Sequence, residues 1–398
     1  MPHSATSRRV FLGSATALAA TRVQGANDRI RIGLVGGGGR GFSHINDLIK
    51  LKDLNAPITG LCDVWAVNRN RAAAAIEKGF GARPRLTSDY REILSWKDID
   101  AIVIAVPDFA HPMVLKAAIE AGKDAYVEKP FGTTFPEVKA AYLAVKNSRQ
   151  IVQVGTQRRS DGKFQAAQKL VASGAIGKVT RVEFCMHFQQ PRWKRPDEKV
   201  DPASVDWTNF QMGKITRPFD QRLLREWQLF DGETTNGIPG LWMSHFIDLI
   251  PWYLDDPYPA RAVSAGGVYL WKDGRRTADV FSALLEYQDC LVTFAMSLTN
   301  RAGIRCIFHG TRGTVDCENW TISGDGSVMK DKVPAESKIV AEVTDTHMHN
   351  WLECLRSRRQ PRADVQAGFS HAVAGIMCSQ AHEKGRRMTF DRQKLEIL

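Results

Sequence analysis

A short apolar run, residues 30–35, passes directly into Gly36-Gly37-Gly38-Gly39-Arg40-Gly41, and residues with helical spacing follow over 42–51. Gly36, Gly38 and Gly41 sit at the G-x-G-x-x-G positions. The first permits a tight turn, the second lets a bound group approach the main chain, and the third lets the helix lie close against the strand. A helix that starts in such a loop presents unpaired N–H groups and a partial positive charge, which suits a pyrophosphate. Strand, glycine turn and helix in this order predict a doubly wound nucleotide-binding unit.

The next hundred residues agree. Continuous apolar runs at 58–62, 101–106, 125–127 and 151–154 alternate with helical patterns at 67–80, 112–121 and 137–146. Strands that are apolar on both faces and separated by helices make a parallel sheet covered on both sides. Asp63 closes the second strand about 20 residues after the glycines, where a carboxylate accepts hydrogen bonds from a ribose. An acid there disfavours a 2′-phosphate, so NAD is the expected cofactor; Arg69 and Arg71, close by, keep NADP open.

After Gly177 the pattern changes. Runs at 179–188, 261–268, 280–287, 291–297 and 304–309 are rich in aromatic and β-branched residues and joined by turns, as in an antiparallel sheet. Residues 349–358 and 370–384 have helical spacing and are expected to return to the first domain. The fold class is therefore α/β: an N-terminal Rossmann domain over 28–156, then an α+β domain over 157–398 with an open, mostly antiparallel sheet. A helix at about 163–173 links the two, and residues 191–219 form a long connection rich in proline and charge.

Residues 1–27 read as a signal peptide. Arg8-Arg9-Val10-Phe11-Leu12 precede a short apolar stretch, and small residues at Gly25-Ala26 suit cleavage. Paired arginines point to the twin-arginine route and a periplasmic or otherwise exported protein, with no membrane span once the signal is removed. The net charge of +11 is spread thinly, and no nucleic-acid-binding motif accompanies it. Nucleic acid is not an expected partner. The seven cysteines lack C-x-x-C spacing and read as buried thiols, so no metal site is expected.

Two further segments, read with the glycines, carry a family likeness: Val106-Pro107-Asp108 with His111, and Tyr126-Val127-Glu128-Lys129-Pro130. With Gly155-Thr156-Gln157-Arg158, Asp206-Trp207, Ser244-His245-Phe246-Ile247-Asp248 and Gly310-Thr311-Arg312-Gly313, the chain resembles the glucose–fructose oxidoreductase / inositol dehydrogenase (Gfo/Idh/MocA) family over about residues 29–398. The resemblance implies an NAD(P)-dependent oxidoreductase acting on CH–OH groups, with substrate between the domains. It also implies a homo-oligomer, dimer or tetramer, formed through the second sheet.

Oxidising a secondary alcohol needs a proton acceptor and a cation near the developing alkoxide. Lys129, at the C-terminal end of a strand, and His245 are the candidate catalytic residues. Gly36, Gly38, Arg40, Gly41, Asp63, Pro107, His111, Glu128 and Lys129 are the cofactor-binding candidates. Gln157, Arg158, Asp248 and Trp207 are the substrate candidates; Trp193 and Trp227 are further aromatic platforms, and Lys194 and Arg195 a grip for an acidic sugar. In the family a histidine in the H-x-x-D setting commonly works with an aspartate three or four residues earlier. Here those places hold Trp242 and Leu241, which leaves Asp248, another carboxylate, or none as its partner. The expected function is oxidoreduction of a sugar or polyol hydroxyl with a tightly held cofactor. Two alternatives stand beside it: an NAD-dependent glycoside hydrolase working by transient oxidation, elimination, hydration and re-reduction, and a nucleotide-binding protein without catalysis.

Overall fold

A computed structural model of the chain describes residues 28–398; the twin-arginine segment read above lies outside them. The first sheet is six-stranded and wholly parallel: β1 (Ile32–Val35), β2 (Ile58–Cys62), β3 (Arg85–Thr87), β4 (Ala101–Ile104), β5 (Asp124–Val127) and β6 (Val152–Val154). Their spatial order is β3-β2-β1-β4-β5-β6, so the chain reverses direction across the sheet between β1 and β4. In open α/β sheets a ligand crevice forms at that point, outside the carboxyl ends of the strands. Every residue of β1 and β4 is buried, as their apolar runs require. The edge strand β3, Arg-Leu-Thr, leaves its arginine exposed, and so short and polar a segment carries no strand signal in the sequence.

The second sheet has ten strands. They are β7 (Val179–Gln189), β8 (Arg261–Gly267), β9 (Val280–Glu286), β10 (Leu291–Ser297), β11 (Thr299–Gly310), β12 (Thr314–Asp316), β13 (Thr321–Ser323), β14 (Ser337–Lys338), β15 (Met388–Asp391) and β16 (Glu396–Ile397). Only β7 and β10 pair in parallel; the other neighbours are antiparallel. One face of its central strands is apolar, with Val182, Phe184 and Met186 on β7, Val292, Phe294 and Met296 on β10, and Phe281, Ala283 and Leu285 on β9, all buried. That face packs into one hydrophobic core with the helices Leu249–Leu254 and Val365–Lys384.

Two C-terminal helices pack against elements of the first sheet. Helix His347–Ser357 sends Met348, Trp351, Leu352 and Leu355 into the core formed by β1 and β2. Its first residue ties down the edge strand: His347 Nε2 donates to the Val154 carbonyl at 2.9 Å, and Ser160 Oγ donates to His347 Nδ1 at 2.8 Å. The Val154 N–H donates to the Ala363 carbonyl at 2.8 Å, so β6 has its outer main chain covered from the end of the chain. Helix Val365–Lys384 starts at an Asp364 cap that accepts from the Ala367 N–H. It is buried nearly all round, as expected of a helix lying between a sheet and a second domain. Phe369 on this helix is fully buried and stacks on Tyr142 with ring centroids 4.1 Å apart. Phe369→Ala should therefore lower the unfolding free energy by about 3–5 kcal/mol in urea titrations; a loss under about 1 kcal/mol would show that this helix does not hold the domains together.

Candidate active site

The glycine loop is shaped by contacts that no side chain would fit. Gly36 adopts φ +97°, and a Cβ there would sit 2.4 Å from the Ala105 carbonyl oxygen; a Cβ on Gly41 would lie 1.8 Å from the Gly36 carbonyl oxygen. Gly38 and Gly39 differ: beyond Asn68 Nδ2 at 3.5 Å, nothing stands within 4 Å of either added Cβ. Helix Gly39–Lys50 begins here with no side-chain cap and no acidic residue in its first turn. Its first N–H groups thus face open space over two bare glycines, and a dinucleotide pyrophosphate fits that cradle. Asp63 completes the wall. It accepts from the Gly37 N–H at 2.7 Å and the Trp65 N–H at 2.8 Å. Burial raises its pKa to about 6, against the pull of those two hydrogen bonds. Arg69 donates to the Asp63 carbonyl at 2.6 Å, and Arg71 lies over the Phe42 ring, so neither forms an ion pair with the Asp63 carboxylate.

Glu128, at the end of β5, is the hub of the nucleotide side. It is 4% exposed. Its Oε1 accepts from Arg40 Nε at 2.6 Å, His44 Nε2 at 2.9 Å and Gln157 Nε2 at 3.0 Å, while Oε2 accepts from the Lys129 N–H at 3.1 Å. Burial alone would raise the carboxyl, but the His44 hydrogen bond and the Arg40 guanidinium outweigh it and hold it well below the usual carboxylate range. Glu128 is therefore an anion that fixes the loop helix to β5, and Gln157 serves it rather than standing ready for substrate.

Lys129 and His245 are brought to one place. The Lys129 ammonium donates to the Leu241 carbonyl at 3.1 Å. Leu241 belongs to a wide π-turn, Pro239–Met243, that runs straight into the helix Ser244–Ile247 carrying His245. Such turns recur at functional sites. Gly240 lets this one approach: a Cβ there would meet Asn236 Oδ1 at 1.9 Å and Pro130 Cγ at 3.2 Å. Burial lowers the Lys129 pKa from its ordinary value, with the Asp108 and Glu128 carboxylates opposing it. Burial, then the Lys129 and Arg158 cations, hold His245 far below the usual histidine range, so its imidazole is neutral at pH 7.

The remaining candidates divide. His111 is buried, donating Nδ1–H to the Pro130 carbonyl at 2.7 Å, with Nε2 unpartnered. Pro107 opens the turn that leads to it. Arg158 lies over the Phe246 and Phe164 rings, at 4.1 and 4.8 Å, within the second domain. Two substrate candidates besides Gln157 are corrected. Asp248 is 1% exposed and bound by Arg159 through hydrogen bonds of 2.8 and 3.0 Å, so it neither faces substrate nor partners His245. Trp207 stacks on Phe210 at 4.7 Å and donates Nε1–H to the Arg217 carbonyl, forming a small satellite core instead of a sugar platform. Sequence reasoning gave Asp108 no role. It is 2% exposed, accepts from Thr235 Oγ1 at 2.9 Å, and its charge opposes the burial of Lys129 more strongly than that of Glu128. Burial raises its pKa to about 7, opposed by Lys129. Its position in the Pro107-Asp108 turn was the available signal.

Comparison with known proteins bears on this arrangement. Residues 30–156 match the model of an oxidoreductase family with an NAD-binding Rossmann fold, and residues 168–390 match that family's C-terminal alpha/beta domain. The chain is 28% identical over 224 residues to inositol 2-dehydrogenase of Salmonella typhimurium, covering 52% of this chain and 65% of that protein. It is 28% identical over 191 residues to a glycosyl hydrolase family 109 protein of Shewanella sp., covering 46% and 40%. The chain thus spans less than two thirds of the length of these curated relatives. The WlbA dehydrogenase of Bordetella pertussis, solved with NADH and UDP-GlcNAcA, shares the fold with a TM-score of 0.67 at 19% identity, over 91% of this chain and 99% of that one.

The raised Asp108 pKa has a consequence for stability. Between the unfolded value near 4 and about 7 the folded protein holds a proton that the unfolded chain releases, so Asp108 makes stability fall as pH rises through that window. Asp108→Asn should gain on the parent protein between pH 4 and pH 7 by on the order of 2–4 kcal/mol. Urea titrations at both pH values check it; a pH-independent difference would show that Asp108 is ionised throughout.

Proposed function

The chain belongs to the Gfo/Idh/MocA oxidoreductase family, and on that premise we propose that it catalyses NAD-dependent oxidation of a secondary hydroxyl on a sugar, polyol or sugar derivative, or the reverse reduction of the corresponding ketone. The observation that carries the reading is the Lys129 ammonium seated on the turn that presents His245, next to the Glu128 hub. Gly38, Gly39 and the first turn of helix Gly39–Lys50 would hold the pyrophosphate, and Asp63 a ribose. NAD supplies the hydride acceptor when bound. The residues of the chain handle the proton. A neutral imidazole is the form of His245 that takes the hydroxyl proton, and the Lys129 ammonium steadies the alkoxide left behind. The Glu128 carboxylate, joined by Asp108 once it has ionised above about pH 7, opposes the loss of that ammonium's proton on burial. His245 works here without a neighbouring aspartate.

Lys129→Ala should lower kcat by roughly 10²–10⁴-fold while NADH binding, followed by fluorescence titration, changes less than about fivefold. Unchanged turnover in this variant would favour nucleotide binding without catalysis. The glycosidase reading has one observation behind it, the likeness to a glycosyl hydrolase family 109 protein. Release of aglycone from a panel of aryl glycosides by the NAD-loaded protein would support it, and none would leave the dehydrogenase.

Export belongs to the same reading and is supported by Arg8-Arg9-Val10-Phe11-Leu12. The full chain should appear in the periplasm, cut near Ala26, while a variant with both arginines changed to lysine stays in the cytoplasm. Fractionation and N-terminal sequencing check this; equal partition of the two chains would refute it.

A further inference from the structure

The arginine-rich loop after β7 treats its cations unequally. Glu226 accepts from Arg222 Nε at 2.9 Å and from the Arg195 main-chain N–H at 2.7 Å, and Lys194 Nζ stands 3.5 Å away. Of the two residues expected to grip an acidic sugar, Lys194 is thus paired with Glu226, and the exposed Arg195 meets Glu226 only through its main chain. Arg192 differs from both. Its guanidinium lies over the Phe188 ring at 4.8 Å and the Trp242 ring at 4.4 Å. Its Nε is buried without a hydrogen-bond partner, and so is the Nε1–H of the Trp242 on which it rests. Burial lowers its basicity, and among the described residues no carboxylate forms an ion pair with it.

This arrangement is held in place. Arg275, whose side chain is buried and paired with Asp273, donates to the Arg192 carbonyl at 3.3 Å. The next residue, Trp193, takes φ +67°, a conformation few residues other than glycine adopt. Trp242 in turn lies 5.8 Å from the His245 ring, centroid to centroid. A guanidinium resting over two adjoining rings, one of which neighbours the proton acceptor, with its Nε unpaired, is an acceptor-binding feature: leaving such a donor unmet is costly.

We propose that Arg192 reads a carboxylate on the substrate, so that the natural substrate is a sugar acid rather than a neutral sugar or polyol. The proposal rests on the oxidoreductase reading for the identity of the site, but not for the anion contact itself. The charges around the pocket agree. Lys129, Arg158 and Arg192 are positive; the Glu128 carboxylate is met by Arg40, and Asp248 by Arg159.

The test is calorimetric and kinetic, on the protein loaded with NADH or NAD. Glucuronate and galacturonate are compared with glucose, galactose and myo-inositol. The acids should bind more tightly than their neutral counterparts by on the order of 10- to 100-fold. Arg192→Gln should bring that ratio close to one, Arg192→Lys should restore part of it, and Lys194→Gln should leave it as in the parent protein. Far-ultraviolet dichroism confirms that each variant is folded. A parent protein that prefers neutral sugars, that binds none of the five, or whose ratio survives Arg192→Gln overturns the proposal. Failure to bind NADH is a separate result: it removes the proposed function, while uronate binding measured on the same sample still decides the anion contact.

Discussion

One buried anion organises the nucleotide side of this protein. Glu128 stands at the end of a central strand and collects donors from three parts of the chain: Arg40 and His44 from the helix after the glycine loop, Gln157 from the turn after β6, and its own neighbour's N–H. A carboxylate so enclosed is tolerable only with all these partners in place, since burying an unmatched charge costs several kcal/mol. The loop helix, β5 and β6 are therefore locked to one another through a single side chain. Lys129, one residue on, inherits its position from that lock. The π-turn of the second domain then meets Lys129 because Gly240 lets it come close.

The same economy explains why the two candidate catalytic groups have the basicities they do. Enclosure lowers both Lys129 and His245, and the lysine's charge lowers the histidine further. An imidazole and an ammonium in one pocket settle into different protonation states, one neutral and one charged. This is the division of labour that alcohol oxidation needs.

Much of this was legible in the sequence, for a physical reason. The glycine loop, Asp63 and the Glu128-Lys129-Pro130 segment act through their own main chain or through neighbours fixed by the regular geometry of a parallel sheet. The strands with continuous apolar runs were equally visible. What stayed hidden depends on side chains that meet across long separations. Asp248 looked available beside His245, yet Arg159, 89 residues earlier, holds it. Gln157 faces Glu128 because two strands are adjacent in space, and Asp108 meets Thr235 across 127 residues. Trp207 finds aromatic company in Phe210 and Phe219, which an aperiodic loop does not announce. Arg192 differs from Lys194 and Arg195 only in what each one touches. β3 was missed because three polar-flanked residues carry no pattern of their own.

The cover that the last helices give to β6 also bears on how the chain is made. A ribosome delivers the six strands of the first sheet long before it delivers Ala363 and His347, and until then the Val154 main chain has neither of these partners. The core around β1 likewise waits for Trp351 and Leu352. The nucleotide domain, although encoded first, is thus finished last. Contacts spanning some 190 residues close slowly, because the long loop between them must first be ordered. During synthesis the nascent sheet presents an unprotected edge, the feature that invites pairing with another chain. The first sheet is accordingly complete only when helices His347–Ser357 and Val365–Lys384 have left the ribosome.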